Sequence, residues 1–237
     1  MKKLFVTATD TDAGKTFVSC AIIESLKQQS KQIAVFKPIS AGCDFVDGIL
    51  VNEDAKLLHE HANCQQSINE INPIAFKQPI APHIAAQSEG CQITLESITD
   101  HFQQVKQRAA DYILVEGAGG WRLPIGFKNG DGQFLSDFVA SEALPVILIV
   151  NMKLGCLNHA LLTLQSIKQS GTDCLGWISN CAVDDTMDNL EENIEALQAL
   201  LQLPMIAHIP YFDSKLSYKE KIKQASALID TTKFNTL

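Results

Sequence analysis

The stretch LFVTATDTDAGKTFVSCAIIESL, residues 4–26, decides the fold. It opens with an apolar run at 4–8, passes through a polar loop, and continues with helical spacing over 16–29. Within it, Thr9-Asp10-Thr11-Asp12-Ala13-Gly14-Lys15-Thr16 matches G-x-x-x-x-G-K-[ST], except that Thr9 stands where the first glycine would be. Each part has a physical task. Gly14 lets backbone N–H groups close around phosphate oxygens, and the helix N-terminus aims its dipole at them. Lys15 reaches the β and γ phosphates, and the Thr16 hydroxyl ligates Mg²⁺. The plain alternative is a strand-to-helix turn that spells Gly-Lys-Thr by chance. A strand before it and a helix after it, both in phase, weigh against that.

Working outward, runs at 33–36, 112–115, 146–150, 174–179 and 205–209 read as strands apolar on both faces, as in a parallel sheet covered on both sides. Helical spacing over 95–108, 158–170 and 186–201 falls between them, and Pro204 stops the last of these. The repeated βαβ pattern predicts one doubly wound α/β domain spanning 1–237: a mainly parallel sheet with helices on both faces, of the P-loop NTPase kind. The stretch 72–82, with Pro73, Pro79 and Pro82, reads as an irregular insertion. Ligands in such sheets bind beyond the carboxyl ends of the strands, so the residues after each strand carry the functional argument.

Lys plus Arg number 19 against 27 Asp plus Glu, a formal charge of −8. With 46% hydrophobic and 19% charged residues this is a globular composition, and no Lys/Arg cluster offers a face for nucleic acid or anionic lipid. No apolar run approaches a membrane span. Asp10 and Asp12 interrupt the segment after Met1-Lys2-Lys3 too soon for a signal peptide, so the chain is expected in the cytoplasm. The seven cysteines are scattered, without C-x-x-C spacing; neither a disulfide framework nor a zinc site is indicated, and most are expected as small core residues.

Three positions after strands stand out. Glu116 ends the run 112–115 and precedes Gly117-Ala118-Gly119-Gly120, a backbone that leaves room for phosphates. A magnesium ion on one hydroxyl and phosphate oxygens takes one or two carboxylates besides; Glu116 is one candidate and Asp54, opening a short helix, another. Spacing alone leaves Glu53 equally eligible, and an acidic first-turn residue is also ordinary helix chemistry. Lys37, locked by Pro38, follows the second strand. It is either a second cation for a second anion or a surface lysine.

Taken together, TDTDAGKT, FKPISAG, NEDA, NPIAFKQPIAPH, VEGAGGW, MKLGCLNHALLT, GWISN and IPY occur in the order and spacing of the dethiobiotin synthases, and the resemblance runs from residue 4 to about 212. It implies ATP-dependent closure of a ureido ring: a carbamate forms on 7,8-diaminopelargonate from CO₂, ATP phosphorylates it, and the second amine displaces phosphate. It implies Mg²⁺ on Thr16, Asp54 and Glu116, with Lys37 and Lys15 flanking the carbamate and γ-phosphate as catalytic residues. The implied ATP contacts are Asp12, Ala13, Gly14, Lys15, Thr16, Phe17, Asp54, Glu116, Gly117, Ala118, Gly119, Asn180, Cys181, Ile209, Pro210 and Tyr211, with the Asn180 carboxamide on adenine. Thr11, Lys37, Ser40 and Ala41 are the implied substrate contacts. Gly155, Cys156, Leu157 and Asn158 would hold the substrate's carboxylate tail at a helix start donated across a homodimer. His159, without a second His or Cys at ligand spacing, reads as a local helix-start residue.

The chain departs from the family pattern in places. Ala8 stands where relatives usually have Gly; Ser40-Ala41-Gly42 lacks the hydroxyl usual before the glycine, leaving Ser40 or backbone N–H groups to serve; Cys181 stands where an acidic residue is common. Nothing matches between 184 and 195. An ATPase switch of the partitioning type is the alternative reading, but it requires a further lysine early in the loop, where this chain has Ala8, Thr9 and Asp10. A GTPase is a weaker alternative still, because Asn151-Met152-Lys153-Leu154 lacks the Asp that reads guanine.

Overall fold

Strands apolar on both faces demand cover on both sides, and the computed structural model, which describes residues 1–184 and 187–236, supplies it. In chain order the elements are β1 (Lys2–Ala8), α1 (Lys15–Lys27), β2 (Ile33–Phe36), β3 (Ile39–Ala41), β4 (Asp44–Val46), β5 (Ile49–Val51), α2 (Glu53–His61), α3 (Ile68–Ile71) and β6 (Ile74–Phe76). Then come α4 (Pro82–Ser88), α5 (Leu95–Lys106), β7 (Tyr112–Glu116), β8 (Pro124–Lys128), β9 (Asp131–Phe134), α6 (Leu135–Ser141) and β10 (Val146–Asn151). Then follow α7 (Cys156–Gln169), β11 (Cys174–Asn180), α8 (Leu190–Leu201), β12 (Met205–Ile209), α9 (Tyr218–Ser226) and a 3-10 helix over Thr231–Thr236. The main sheet is parallel, in the order β12-β11-β10-β1-β7-β2, so β1 is central between β10 and β7.

Alternation along β1 builds the two cores. Leu4, Val6 and Ala8 face a layer with Val18, Ile22 and Leu26 of α1 and Ile222 of α9. Phe5 faces the opposite layer, where Phe36, Phe102 and Phe138 of β2, α5 and α6 interlock. The Phe102 ring lies 5.5 Å from Phe36 and 5.4 Å, nearly perpendicular, from Phe138. Further along the sheet, Trp177 and Leu148 pack beneath α7 and α8.

The six strands foreseen from the apolar runs all form, extended by a residue or two at most. The helices shift more. The one foreseen over 158–170 begins at Cys156, because Gly155 in the left-handed region turns the chain two residues earlier. The foreseen start at Thr186 lies outside the described residues, and α8 runs from Leu190. The stretch 72–82 is less irregular than its prolines imply: β6 lies inside it, paired in parallel with β3, and Pro82 occupies the first turn of α4. Of the cysteines, Cys20, Cys43 and Cys156 are core residues, whereas Cys64, Cys174 and Cys181 are half-buried and Cys91 is exposed, so the expectation of mostly buried thiols is corrected. All seven are free.

Candidate functional site

The carboxyl ends of β1, β2 and β7 meet at a cavity of about 690 Å³. The phosphate loop forms one wall. Gly14 caps α1 with φ +79°, no side chain caps the helix, and no acidic residue enters its first turn, so the first amides of α1 stay open to an anion. The contrast with α2 and α9 is direct, since Asn52 and Ser217 cap those helices with their own side chains.

Opposite the loop lies a charged cluster. The Lys37 ammonium sits 2.7 Å from Glu116 Oε1 and 2.9 Å from Asp54 Oδ2, and the Thr16 hydroxyl donates to Glu116 Oε1 at 2.9 Å. Lys37 and Glu116 are almost wholly buried. This removes the surface-lysine alternative. Burial alone would discharge Lys37, but the facing carboxylates outweigh it and lift the ammonium above its ordinary value. Burial would likewise raise the Asp54 carboxyl, yet the Lys37 charge and the hydrogen bond it donates hold it below the usual carboxylate range. Lys15 has no such direct pairing. Among the described residues its ammonium reaches only the Asp10 carbonyl, at 3.4 Å, and burial, resisted in part by Glu116, pulls its pKa down. Glu53 is exposed and lines a different surface, whereas Asp54 lines this cavity.

The donor set suits a hard cation. Thr16, Asp54 and Glu116 offer only oxygen, and Glu116 Oε2 is buried without a hydrogen-bond partner among the described residues, a costly state that a bound cation would relieve.

Thr11, Asp12, Phe17, Ser40, Ala41, Ala118 and Gly119 line the same cavity. Ser40 is less available than its sequence position implied: its hydroxyl is buried, donates to Asn72 Oδ1 at 2.6 Å and touches Cys43 Sγ at 3.1 Å. Gly117 lies beneath the site rather than in its wall. A Cβ there would come within 3.0 Å of the Phe5 ring.

Beyond the phosphate loop a second hollow, about 240 Å³, is walled by Phe17, Asn180, Cys181, Pro210 and Tyr211. Phe212, Tyr218 and Lys221 also line it, with Asp12, Gly14 and Ala182 on the loop side. Ile209 stays in the sheet, wholly buried opposite Asn180. Gly155 to Asn158 are not brought to either hollow: Gly155 and Asn158 are exposed, Leu157 is half-buried and Cys156 faces the core. Like α1, α7 starts at a left-handed glycine with no side-chain cap and no first-turn acid. An ion pair between Lys153 and Asp10 ties this loop to the phosphate loop.

Several contributors were not foreseen. Asn72 fixes Lys37 from behind, its amide donating to the Lys37 carbonyl at 2.8 Å while the Lys37 N–H donates to the Ile71 carbonyl at 2.8 Å. Pro79, Ile80 and Leu123 form the lip of the cavity. Tyr218 borders both hollows, packing edge-on against Phe17 at 5.7 Å. Its place was legible in Ser217-x-x-Glu220, a capping box that fixes where α9 begins.

A family model described as an AAA domain matches residues 2–216. The ATP-dependent dethiobiotin synthetase BioD of Pseudoalteromonas translucida is 45% identical over 236 residues, covering both chains in full. That of Alteromonas mediterranea is 45% identical over 217 residues, covering 89% of this chain and 93% of its own. The chain belongs to the dethiobiotin synthetase family. As a member of that family it is an ATP-binding P-loop enzyme, an ATP-dependent ligase with a role in biotin synthesis. Among solved structures, the MinD cell division protein of Aquifex aeolicus aligns over 100% of this chain and 97% of its own with a TM-score of 0.58 at 15% identity. The ParA family ATPase of Chlorobium tepidum aligns over 96% and 92% with 0.54 at 14%. At such identities the likeness is one of fold.

Proposed function

We propose that the chain, acting as one unit over 1–237, closes the ureido ring of dethiobiotin from 7,8-diaminopelargonate, CO₂ and ATP. The observation that carries this reading is the buried Lys37 ammonium, fixed between Glu116 and Asp54 within reach of the open phosphate loop.

One amine of the substrate adds to CO₂ and loses a proton, giving a carbamate. A carbamate oxygen attacks the γ-phosphorus, the bond to the β-phosphate oxygen breaks, and ADP leaves. The second amine then attacks the carbonyl carbon of the carbamic-phosphoric anhydride, phosphate departs, and the amine gives up its proton. Because the carbamate is already anionic, the phosphorylation needs no general base; it needs positioning and charge neutralisation. Lys37 and Lys15 supply compact positive charge to the carbamate and the moving phosphoryl group. The α1 amides hold the phosphates, Thr11 and the backbone around Ala41 border the substrate, and Asn180 with Phe17 and Tyr211 takes the adenine. Thr16, Asp54 and Glu116 would hold Mg²⁺, which when bound neutralises phosphate charge. The substrate's carboxylate tail goes to Gly155 to Asn158 of a second subunit in a homodimer. The reading places the enzyme in the cytoplasm with small-molecule partners and no nucleic-acid or membrane partner; among the described residues no helix is long and apolar enough to cross a membrane.

Incubation with ATP, Mg²⁺, bicarbonate and 7,8-diaminopelargonate should yield dethiobiotin, ADP and phosphate in equal amounts. ATP hydrolysis indifferent to the diamine would overturn the reading.

A further inference from the structure

The carboxamide of Asn180 ends β11 and is 2% exposed. Its Nδ2 donates to the carbonyl of Ala13, in the middle of the phosphate loop, at 2.8 Å. Ala13 is wholly buried, so in the folded loop its carbonyl is shielded from solvent and has the Asn180 amide as its partner. The residues either side of Ala13 are both left-handed, Asp12 at φ +58° and Gly14 at φ +79°. A non-glycine residue in that region is strained, and such a conformation persists only where its surroundings impose it. The amide grips the loop between the two. A Cβ placed on Gly14 would lie 2.4 Å from Asn180 Nδ2, so the side chain lies tight under the loop glycine.

A carboxamide has two N–H donors and one carbonyl acceptor. One donor goes to Ala13. Oδ1 receives no hydrogen bond from the described residues, and Asn180 lines the smaller hollow, so the second donor and Oδ1 remain for a ligand there. The strand end behind it is fixed, because Asn180 pairs in register with Asn151 on one side and Ile209 on the other.

We propose that Asn180 is a positioning residue for the phosphate loop. Its bond to Ala13 holds the loop in the arc that its amides need, so base and phosphates are gripped through one carboxamide. The inference rests on the nucleotide-site reading above and adds that Asn180 matters to ligands that have no base.

Sodium tripolyphosphate is such a ligand. Titrated calorimetrically into wild type and Asn180→Ala, it should bind the variant about tenfold more weakly, the effect of one buried hydrogen bond. Amides of 11–16 should also exchange faster in the nucleotide-free variant. If ATP affinity falls while tripolyphosphate affinity and loop exchange match wild type, Asn180 reads the base alone and the proposal is overturned. Wild-type protein that fails to bind ATP would overturn the nucleotide reading, and the inference with it. Should Asn180→Ala fold poorly, Asn180→Ser, whose hydroxyl is too short to reach Ala13, takes its place with the same expectations. A cycle with Gly14→Ala gives an independent check. Once the Asn180 carboxamide is gone the added methyl finds its nearest remaining neighbour at Ala182 Cβ, 3.9 Å away, so the double variant should lose less than the two singles combined. Strict additivity would count against the contact.

Discussion

Lys37, Asp54 and Glu116 have little meaning singly. For the two buried members, the Lys37 ammonium or the Glu116 carboxylate alone would cost several kcal/mol, and each is tolerable because the other is there, with the half-exposed Asp54 adding a second negative partner. In the proposed reaction the charge that Lys37 faces shifts from the carbamate to the migrating phosphoryl group. Lys37→Ala should therefore lower kcat by about a hundredfold to a thousandfold, the usual cost of one preorganised group, while ATP binding measured by calorimetry changes little. Near-normal turnover would remove it from the catalysts. Asp54→Asn and Glu116→Gln should each raise the Mg²⁺ concentration that gives half-maximal activity, a neutral amide being a poor ligand for a hard cation. Asp54 also sets a pH signature. Its carboxyl lies below the ordinary 3.8, so its contribution to stability is present above that pH and lost as pH falls through the native value. Thermal melts of wild type and Asp54→Asn should run parallel above about pH 5 and converge below about pH 4, whereas parallel curves throughout would show that Asp54 is not held by Lys37. Of these roles, the type of each residue was legible in the sequence and its pairing was not. Lys37 as surface or site, and Asp54 or Glu53, are questions of burial, which spacing after a strand does not settle.

At the scale of elements, runs such as 146–150 announced their strands because every residue is apolar and the strand is buried on both faces. The short pairs were silent. β3 with β6 and β8 with β9 have three to five residues each, too few for a period to show, and they form because the chain beside them is already fixed. The same pattern holds at the site, where the phosphate loop was readable as a motif while Asn72, the lip at Pro79 and the ring of Tyr218 arrive by tertiary packing from remote segments. Packing also connects stability to the site. β2, which delivers Lys37, is held by Phe36 against Phe102 of α5 and Phe138 of α6. Phe102→Ala should cost about 3–5 kcal/mol in denaturant unfolding, the range for deleting a buried aromatic ring. A loss under about 1 kcal/mol would mean that the α5 layer does not secure that edge of the sheet.

At the scale of the whole molecule, one feature lies apart from the cavity: α7 begins at an exposed, uncapped glycine outside both hollows, although its loop is tied to the phosphate loop by Lys153 and Asp10. An open helix start of this kind suits a carboxylate, and a symmetric dimer would set it against a neighbour's cavity, since two-fold contacts bury the same patch on both subunits. Gly155 sits at φ +94°, so a bulky replacement both strains the turn and covers the amides; Gly155→Trp should raise the KM for diaminopelargonate and spare that for ATP. The decisive measurement mixes two impaired proteins. Lys37→Ala leaves the α7 start intact, and Gly155→Trp leaves the charged cluster intact. If each site combines the cluster of one subunit with the helix start of the other, a mixed dimer holds one site with both lesions and one with neither. After subunit exchange at equal concentrations about half of the dimers are mixed, so turnover per dimer should return to about a quarter of the wild-type value. Confirmed exchange with no gain over the separate variants would show that each subunit completes its own site.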